Sequence, residues 1–297
     1  MAMVYDDTVA TGYTSLYDAT HSPPPQLVAM YEIPQGRIYT FTSHKKFKED
    51  LQRCADGFIS GAGKQYIAFR DVQQSRLRLI EHRRSCSEIP AFRLLYDAAE
   101  EVLIIKLIPG AHYKVAVVKF TEDFAVKRHI LGVRDALKPF GSTRYEALTG
   151  RSKEADGAWR PSTRVLPTDW PSLVIEVGAS ESLGQLRTDA DFWLTKSGSQ
   201  TRVVILLAVN KATRVMTIER WEDVPSPRPR RLTSSPHNPT MVQTLTLHAN
   251  GLVIGGPLLI PASKVYDTLP AGLGQNDFAF TAQDLAQYIQ DYWLLVG

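Results

Sequence analysis

Two carboxylates twenty residues apart, Asp156 in KEADGAW and Glu176 in SLVIEVG, carry the chemistry this sequence suggests. Glu176 sits among Leu173, Val174, Ile175 and Val177, an apolar run in which an unpaired carboxylate is expensive to desolvate. It therefore needs a metal ion, hydrogen-bond donors or an ion pair, and Arg160 and Arg202 are the candidate partners for the last option. Asp156 precedes Gly157, where an aspartate serves equally as a turn residue or as a ligand. Delivered together by neighbouring strands, the two side chains would form a site for a hard divalent cation, and such an ion activates water against a phosphodiester.

Several elements must position that pair. Arg37–Ser43 and Lys64–Arg70 read as strands, His44–Ala55 as a helix capped by Ser43, and Asp71–Arg84 as a basic helix with Leu77 and Ile80 inward. FRLLYDAAEEVLIIKL, beginning at Phe92, reads as a hairpin. Pro109-Gly110 then stops the chain before a long helix, His112–Leu131, with Val115, Val118 and Phe124 on its inner side. Strands follow at Thr143–Leu148, Asp156–Pro161 and Ser172–Gly178, then a helix at Glu181–Lys196. Two more strands come at Arg202–Val209 and Arg214–Trp221. Val203–Val209 is apolar throughout, as a central strand covered on both faces requires. The tail adds strands at Val242–His248 and Pro257–Ile260 and a helix from Ala282 to Leu295 that Thr281 can cap.

That order, with Asp on one strand and Glu on the next, resembles the PD-(D/E)XK restriction-endonuclease-like superfamily over about residues 109–222. More narrowly, it resembles a branch of fungal and bacterial proteins with a proline, a hydrophobic run, I-E-V-G and S-x-S in succession, here PSLVIEVGASES. The resemblance implies an α/β fold, a restriction-endonuclease-like mixed sheet flanked by helices, with extra N- and C-terminal elements. It implies Mg2+ (or Mn2+) held by Asp156, Glu176 and the Val177 carbonyl, hydrolysis of nucleic acid, and a symmetric dimer as a common state. Ala155 replaces the proline of the motif, and Gly178 stands where its lysine belongs. The superfamily moves that lysine to other elements, which makes Lys153 and Gln185 the candidate replacements. The alternative is a catalytically inactive module that uses the fold to bind nucleic acid or a protein.

The domain reading is a flexible arm at 1–25, an α/β extension at 26–91, and a nuclease-like core at 92–222. A Pro-rich basic loop at 223–240 and a C-terminal segment at 241–297 packed on the core complete it. His112, at a helix start whose N–H groups can meet phosphate, is a candidate nucleic-acid contact, as are Arg228, Arg230 and Arg231 in the loop. Two more basic clusters, HKKFK from His44 and RLRLIEHRR from Arg76, suit either a phosphate backbone or plain solvent. On the helix after Glu176, Leu183, Leu186, Ala190, Trp193 and Leu194 form the buried stripe, and Ser182, Gln185 and Asp189 a solvated face.

Composition narrows the remaining classes. A net charge of +3 and 22% charged residues permit nucleic-acid binding without demanding it. Two cysteines cannot build a zinc site alone. SGAGKQY fails as a phosphate-binding loop because Gln65 stands where Ser or Thr should hold magnesium, and GASES lacks the last glycine of a hydrolase elbow. The first residues have neither a basic nor an apolar leader pattern, and no apolar run reaches membrane length. An intracellular location, cytoplasmic or nuclear, is the expectation.

Overall fold

The computed structural model describes residues 25–108, 110–224, 237–271, 273 and 276–297. The expected arm and most of the expected basic loop, including Arg228, Arg230 and Arg231, lie outside the described residues. A short helix α1 (Gln26–Met30) leads to strand β1 (Ile38–Thr40), helix α2 (His44–Ile59) and β2 (Tyr66–Arg70). Ser43 caps α2 by accepting the Lys46 N–H, as expected. Helix α3 (Gln74–Ser85), the hairpin β3 (Phe92–Asp97) and β4 (Val102–Leu107), and helix α4 (Ala111–Ile130) follow. Then come β5 (Leu137–Pro139), β6 (Arg144–Glu146), β7 (Arg151–Glu154), β8 (Gly157–Pro161) and β9 (Leu173–Ala179). Helix α5 (Leu183–Lys196), β10 (Val203–Asn210) and β11 (Val215–Asp223) complete the middle of the chain. The last part holds β12 (Pro239–His248), β13 (Val253–Ile254), β14 (Leu258–Ile260), α6 (Ala262–Val265), β15 (Phe278–Phe280) and α7 (Ala282–Val296).

These strands make two main sheets and a ribbon of β14 and β15. The larger sheet runs β13-β12-β11-β10-β9-β8-β5 and is mixed, because β9 and β10 are parallel while the other pairs are antiparallel. The smaller runs β1-β2-β4-β3-β7-β6. The fold is thus mixed α/β, with sheets flanked by helices. The β3–β4 hairpin belongs to the smaller sheet, so the chain crosses between the sheets at Ala155-Asp156, from β7 into β8.

Alternation along β9 and β10 sorts side chains onto two faces. Leu173, Ile175 and Val177, with Val203, Ile205 and Leu207, join the core beneath α4 and α7, among Phe120, Phe124, Tyr288 and Tyr292. Val174, Val204, Leu206 and Ala208 turn the other way, into a second core with Leu186, Ala190 and Trp193 of α5. β10 is central and buried on both faces, as its unbroken apolar run predicts.

Three expectations are corrected. Val118 of α4 is 54% exposed and Val115 only half-buried, because the seam against the larger sheet and α7 runs through Tyr113, Ala116, Phe120 and Phe124. RSKE (Arg151–Glu154), given no element in the sequence reading, is a strand with three of its four residues buried. Asp189, assigned to a solvated face of α5, is fully buried, since α1 and β2 cover that side with Tyr31 and Tyr66.

Candidate functional site

The register of β8 against β9 pairs Gly157 with Ile175, which places Asp156 directly across from Glu176. Cross-strand neighbours share a face. Glu176 therefore points away from α4, and both acids meet Lys106 in the space between the two sheets. From the smaller sheet a second row answers them: Tyr66, Lys106 and Arg93 are neighbours across β2, β4 and β3. Lys153 of β7 lies one step along the same face, opposite Leu95 and Tyr145.

Where these rows meet, the Lys106 ammonium lies between the two acids. It is 2.6 Å from Asp156 Oδ2, closer still to Glu176 Oε2, and 3.8 Å from Asp189 Oδ2. Lys153 Nζ is 2.7 Å from Asp189 Oδ1 and 3.4 Å from Glu176 Oε1. Asp189 also accepts from the Tyr31 hydroxyl at 2.6 Å and the Tyr66 hydroxyl at 2.7 Å. Trp193 Nε1 donates to Glu176 Oε1 at 2.7 Å, and the Val177 N–H donates to Asp156 Oδ2 at 2.8 Å. Arg93 Nε stands 3.1 Å from Asp156 Oδ1, an ion pair without hydrogen-bond alignment. Three cations thus face three carboxylates, and the charges cancel.

Burial sets the protonation. It opposes the charge on Lys106, but Asp156, Glu176 and Asp189 outweigh it and hold the ammonium above the ordinary lysine range. Burial likewise works against the Asp156 carboxylate, and Lys106 and Arg93 more than offset it, so its pKa falls. Glu176 goes the other way. Its desolvation, helped by the nearby Asp189 and Asp156, exceeds the pull of the two lysines and lifts its pKa to about 7.

A divalent ion does not fit this donor set as it stands. Magnesium requires near-octahedral oxygen ligands and keeps several waters. Both Glu176 oxygens already accept from Trp193 or Lys106, and the side chain has no exposed surface to admit water. Asp156 Oδ2 is taken twice over, by Lys106 and the Val177 N–H. Among the described residues no three His, Cys, Asp or Glu side chains are grouped as a metal centre.

Gly178 has a spatial reason to be glycine. A Cβ there would stand 2.7 Å from Gln65 Oε1 and 3.1 Å from Leu186 Cδ1. Gln65 fills the space as a buried clamp, accepting from the Ala179 N–H at 2.9 Å and donating to the Leu107 carbonyl at 3.0 Å. The lysine position of the motif is therefore closed, and the two lysines of the cluster come from the other sheet.

Two members of the cluster, Asp156 and Arg93, border open space. Asp156 floors a cleft of about 490 Å³ whose walls include Arg93, Tyr113, Lys114 and Val117. A second groove beyond it, lined by Arg84 and Glu154 among others, shares Ala91, Arg93 and Ser142 with the first.

The remaining candidates lie elsewhere. Gln185 donates to the Tyr31 carbonyl at 3.2 Å and does not enter the cluster. Val177 meets Asp156 through its N–H rather than its carbonyl. His112 packs on α7, with Nδ1 3.2 Å from the Tyr292 hydroxyl, and burial and Lys211 depress its pKa. Arg160 bonds the Leu166 and Asp169 carbonyls and Arg202 pairs with Asp267, so neither meets Glu176. Lys106, Arg93, Tyr31 and Tyr66 are cluster members that sequence reasoning did not single out, and Asp189 is one that it placed on a solvated face. Lys106 carried a readable signal, a lone charge in the apolar run VLIIKL, the mirror image of Glu176 in LVIEVG.

Fold and site define a mixed α/β protein with a charge-balanced polar centre at the junction of two sheets. No protein-family model matches the chain, and no curated protein matches it. It is similar to a crystal structure from Anabaena variabilis ATCC 29413 described as "a putative nuclease belonging to DUF820". The TM-score is 0.36 at 15% identity, over 67% of this chain and 92% of that one. No described helix is long and apolar enough to cross a membrane.

Proposed function

We propose that this chain is a nuclease-like module in which a lysine ammonium has taken the place of the divalent ion, and that it binds nucleic acid without cutting it. The observation that carries this reading is the seat of Lys106 between Asp156 and Glu176. A cation is needed wherever two carboxylates converge out of water. A covalently tethered one removes the need for an ion and also the metal-bound water that would attack a phosphodiester. The fully buried Glu176 supports the same conclusion, because no substrate atom can reach it. The cleft at Asp156, with Arg93 and Lys114 on its walls, is left as a surface for an anionic chain.

A second reading is the metal-dependent phosphodiesterase implied by the family resemblance. It is favoured by two facts, that Asp156 borders the cleft and that two lysines gather beside the acidic pair. One experiment separates the two. Purified protein is titrated calorimetrically with Mg2+ and Mn2+ and incubated with plasmid, single-stranded DNA and RNA. Binding of labelled nucleic acid is measured in parallel in EDTA. The silent module shows no metal heat and no cut products, and still binds in EDTA. Metal-dependent cleavage that disappears in Asp156→Asn and in Glu176→Gln would overturn it in favour of the enzyme.

A further inference from the structure

We propose that the outer faces of α2 and α3, outside the acidic cluster, form a cationic ridge that carries the phosphate backbone of a nucleic-acid duplex. This deepens the binding reading above and rests on it for the class of ligand.

The two basic clusters HKKFK and RLRLIEHRR, separate in sequence, sit on helices that cover the same face of the smaller sheet. Phe47 and Leu51 of α2 and Leu77 and Ile80 of α3 join one core with Ile67, Leu94 and Ile105 of that face. The His44 imidazole, at the start of α2, is close enough to Arg76 and Arg83 for their charges to help burial depress its pKa. Both of its ring nitrogens are sealed from water without a hydrogen-bond partner. Helical spacing arranges the rest: His44 and Lys48 are four residues apart and share a face, as do Arg76 and Arg83, seven apart. Lys45 is exposed beside them.

These charges are largely uncompensated. Lys46 and Arg53 turn to Asp50 on the other flank of α2, and Arg84 is engaged with Glu154. Arg83 reaches Glu88 only at 3.9 Å. Among the described residues, Lys45, Lys48, Arg76 and Arg78 have no carboxylate within ion-pair distance. With a formal charge of only +3 on the whole chain, this concentration is local.

Geometry favours a nucleic-acid backbone over a lipid surface. The 12 residues of α3 span about 18 Å, or roughly five steps of a strand at 3.4 Å per nucleotide. The C-terminal end of α3, at Arg84 and Ser85, opens into the groove that continues past Arg93 to the cleft at Asp156. A strand held on the ridge is thus led towards that cleft. A bilayer would need apolar side chains to insert, and α3 presents one exposed large apolar residue, Leu79.

The test is the anisotropy of a labelled 20-base-pair duplex (about two turns) in EDTA across a salt series. The wild type is compared with Lys48→Ala/Arg76→Ala, whose fold is checked by circular dichroism and thermal unfolding. Loss of two phosphate contacts should lower the slope of log affinity against log salt by about two and weaken binding about tenfold or more at low salt. An unchanged slope, or a wild type that binds no duplex, overturns the ridge. So does binding to phosphatidylserine vesicles that exceeds duplex binding and falls in the double variant. Cleavage of the duplex in magnesium would sink the silent-module reading and leave the ridge standing.

Discussion

Replacing Lys106 with methionine is the most direct perturbation of the polar centre, because methionine keeps an unbranched chain only one atom shorter and removes the ammonium, with its charge and its N–H donors. In the native protein Lys106, Lys153 and Arg93 balance Asp156, Glu176 and Asp189. The variant leaves two cations against three buried carboxylates. Breaking a buried ion pair by removing one partner costs about 3–5 kcal/mol. Lys106, with two carboxylates in direct contact and a third at 3.8 Å, belongs at the upper end of that range. Glu176, whose pKa already stands near 7, can relieve the excess by taking up a proton, so the cost should shrink as the pH falls from 8 to about 5.5. Adding Glu176→Gln should restore balance. Glutamine still accepts from Trp193, and its amide can donate towards Asp156 where the lysine stood. A double-mutant cycle by urea unfolding at pH 7.5 should then give a coupling energy of about 1–3 kcal/mol, with the double variant more stable than Lys106→Met alone. The reasoning is refuted if Lys106→Met unfolds within about 1 kcal/mol of the wild type, or if the second substitution only adds to the damage.

Two further outcomes follow from the same geometry. Glu176 has a folded pKa of about 7 against 4.5 unfolded, so the folded state holds the extra proton between those values. Its contribution to stability is therefore present in acid and is lost as the pH rises through about 7. The wild type minus Glu176→Gln difference in unfolding free energy should fall across that window, and Trp193 fluorescence should change with a midpoint near 7; a flat difference from pH 5 to 8 would contradict the assignment. Gly178→Ala pushes a methyl group against Gln65 and Leu186 and should cost about 1–3 kcal/mol in thermal unfolding, whereas a neutral effect would show that the clamp is soft.

Much of the fold was legible in local pattern. Val203–Val209 predicts a doubly covered strand by its continuous apolar run, and Thr281 marks the start of α7, where it forms a capping box with Asp284. The α4 seam was misplaced because several apolar registers coexist along AHYKVAVVKFTEDF, and only the facing surfaces of α7 and the larger sheet select among them. RSKE was missed as a strand for a related reason. Its polar side chains are buried by partners far away in sequence, Arg84 for Glu154 and Asp189 for Lys153.

Asp156 and Glu176 could be paired from sequence because their strands follow one another, joined by residues 162–172, and register then fixes them opposite each other. The sequence by itself thus determined that two acids share a face of an apolar sheet and that something cationic must meet them. Whether that cation is an ion from solution or a side chain was decided only by the tertiary structure. Lys106 comes from a different sheet, 50 residues before Asp156 and 70 before Glu176, and long-range packing of one sheet on the other leaves no local trace. A charge in an apolar strand announces that it has a partner; only the closing of the two sheets says which one.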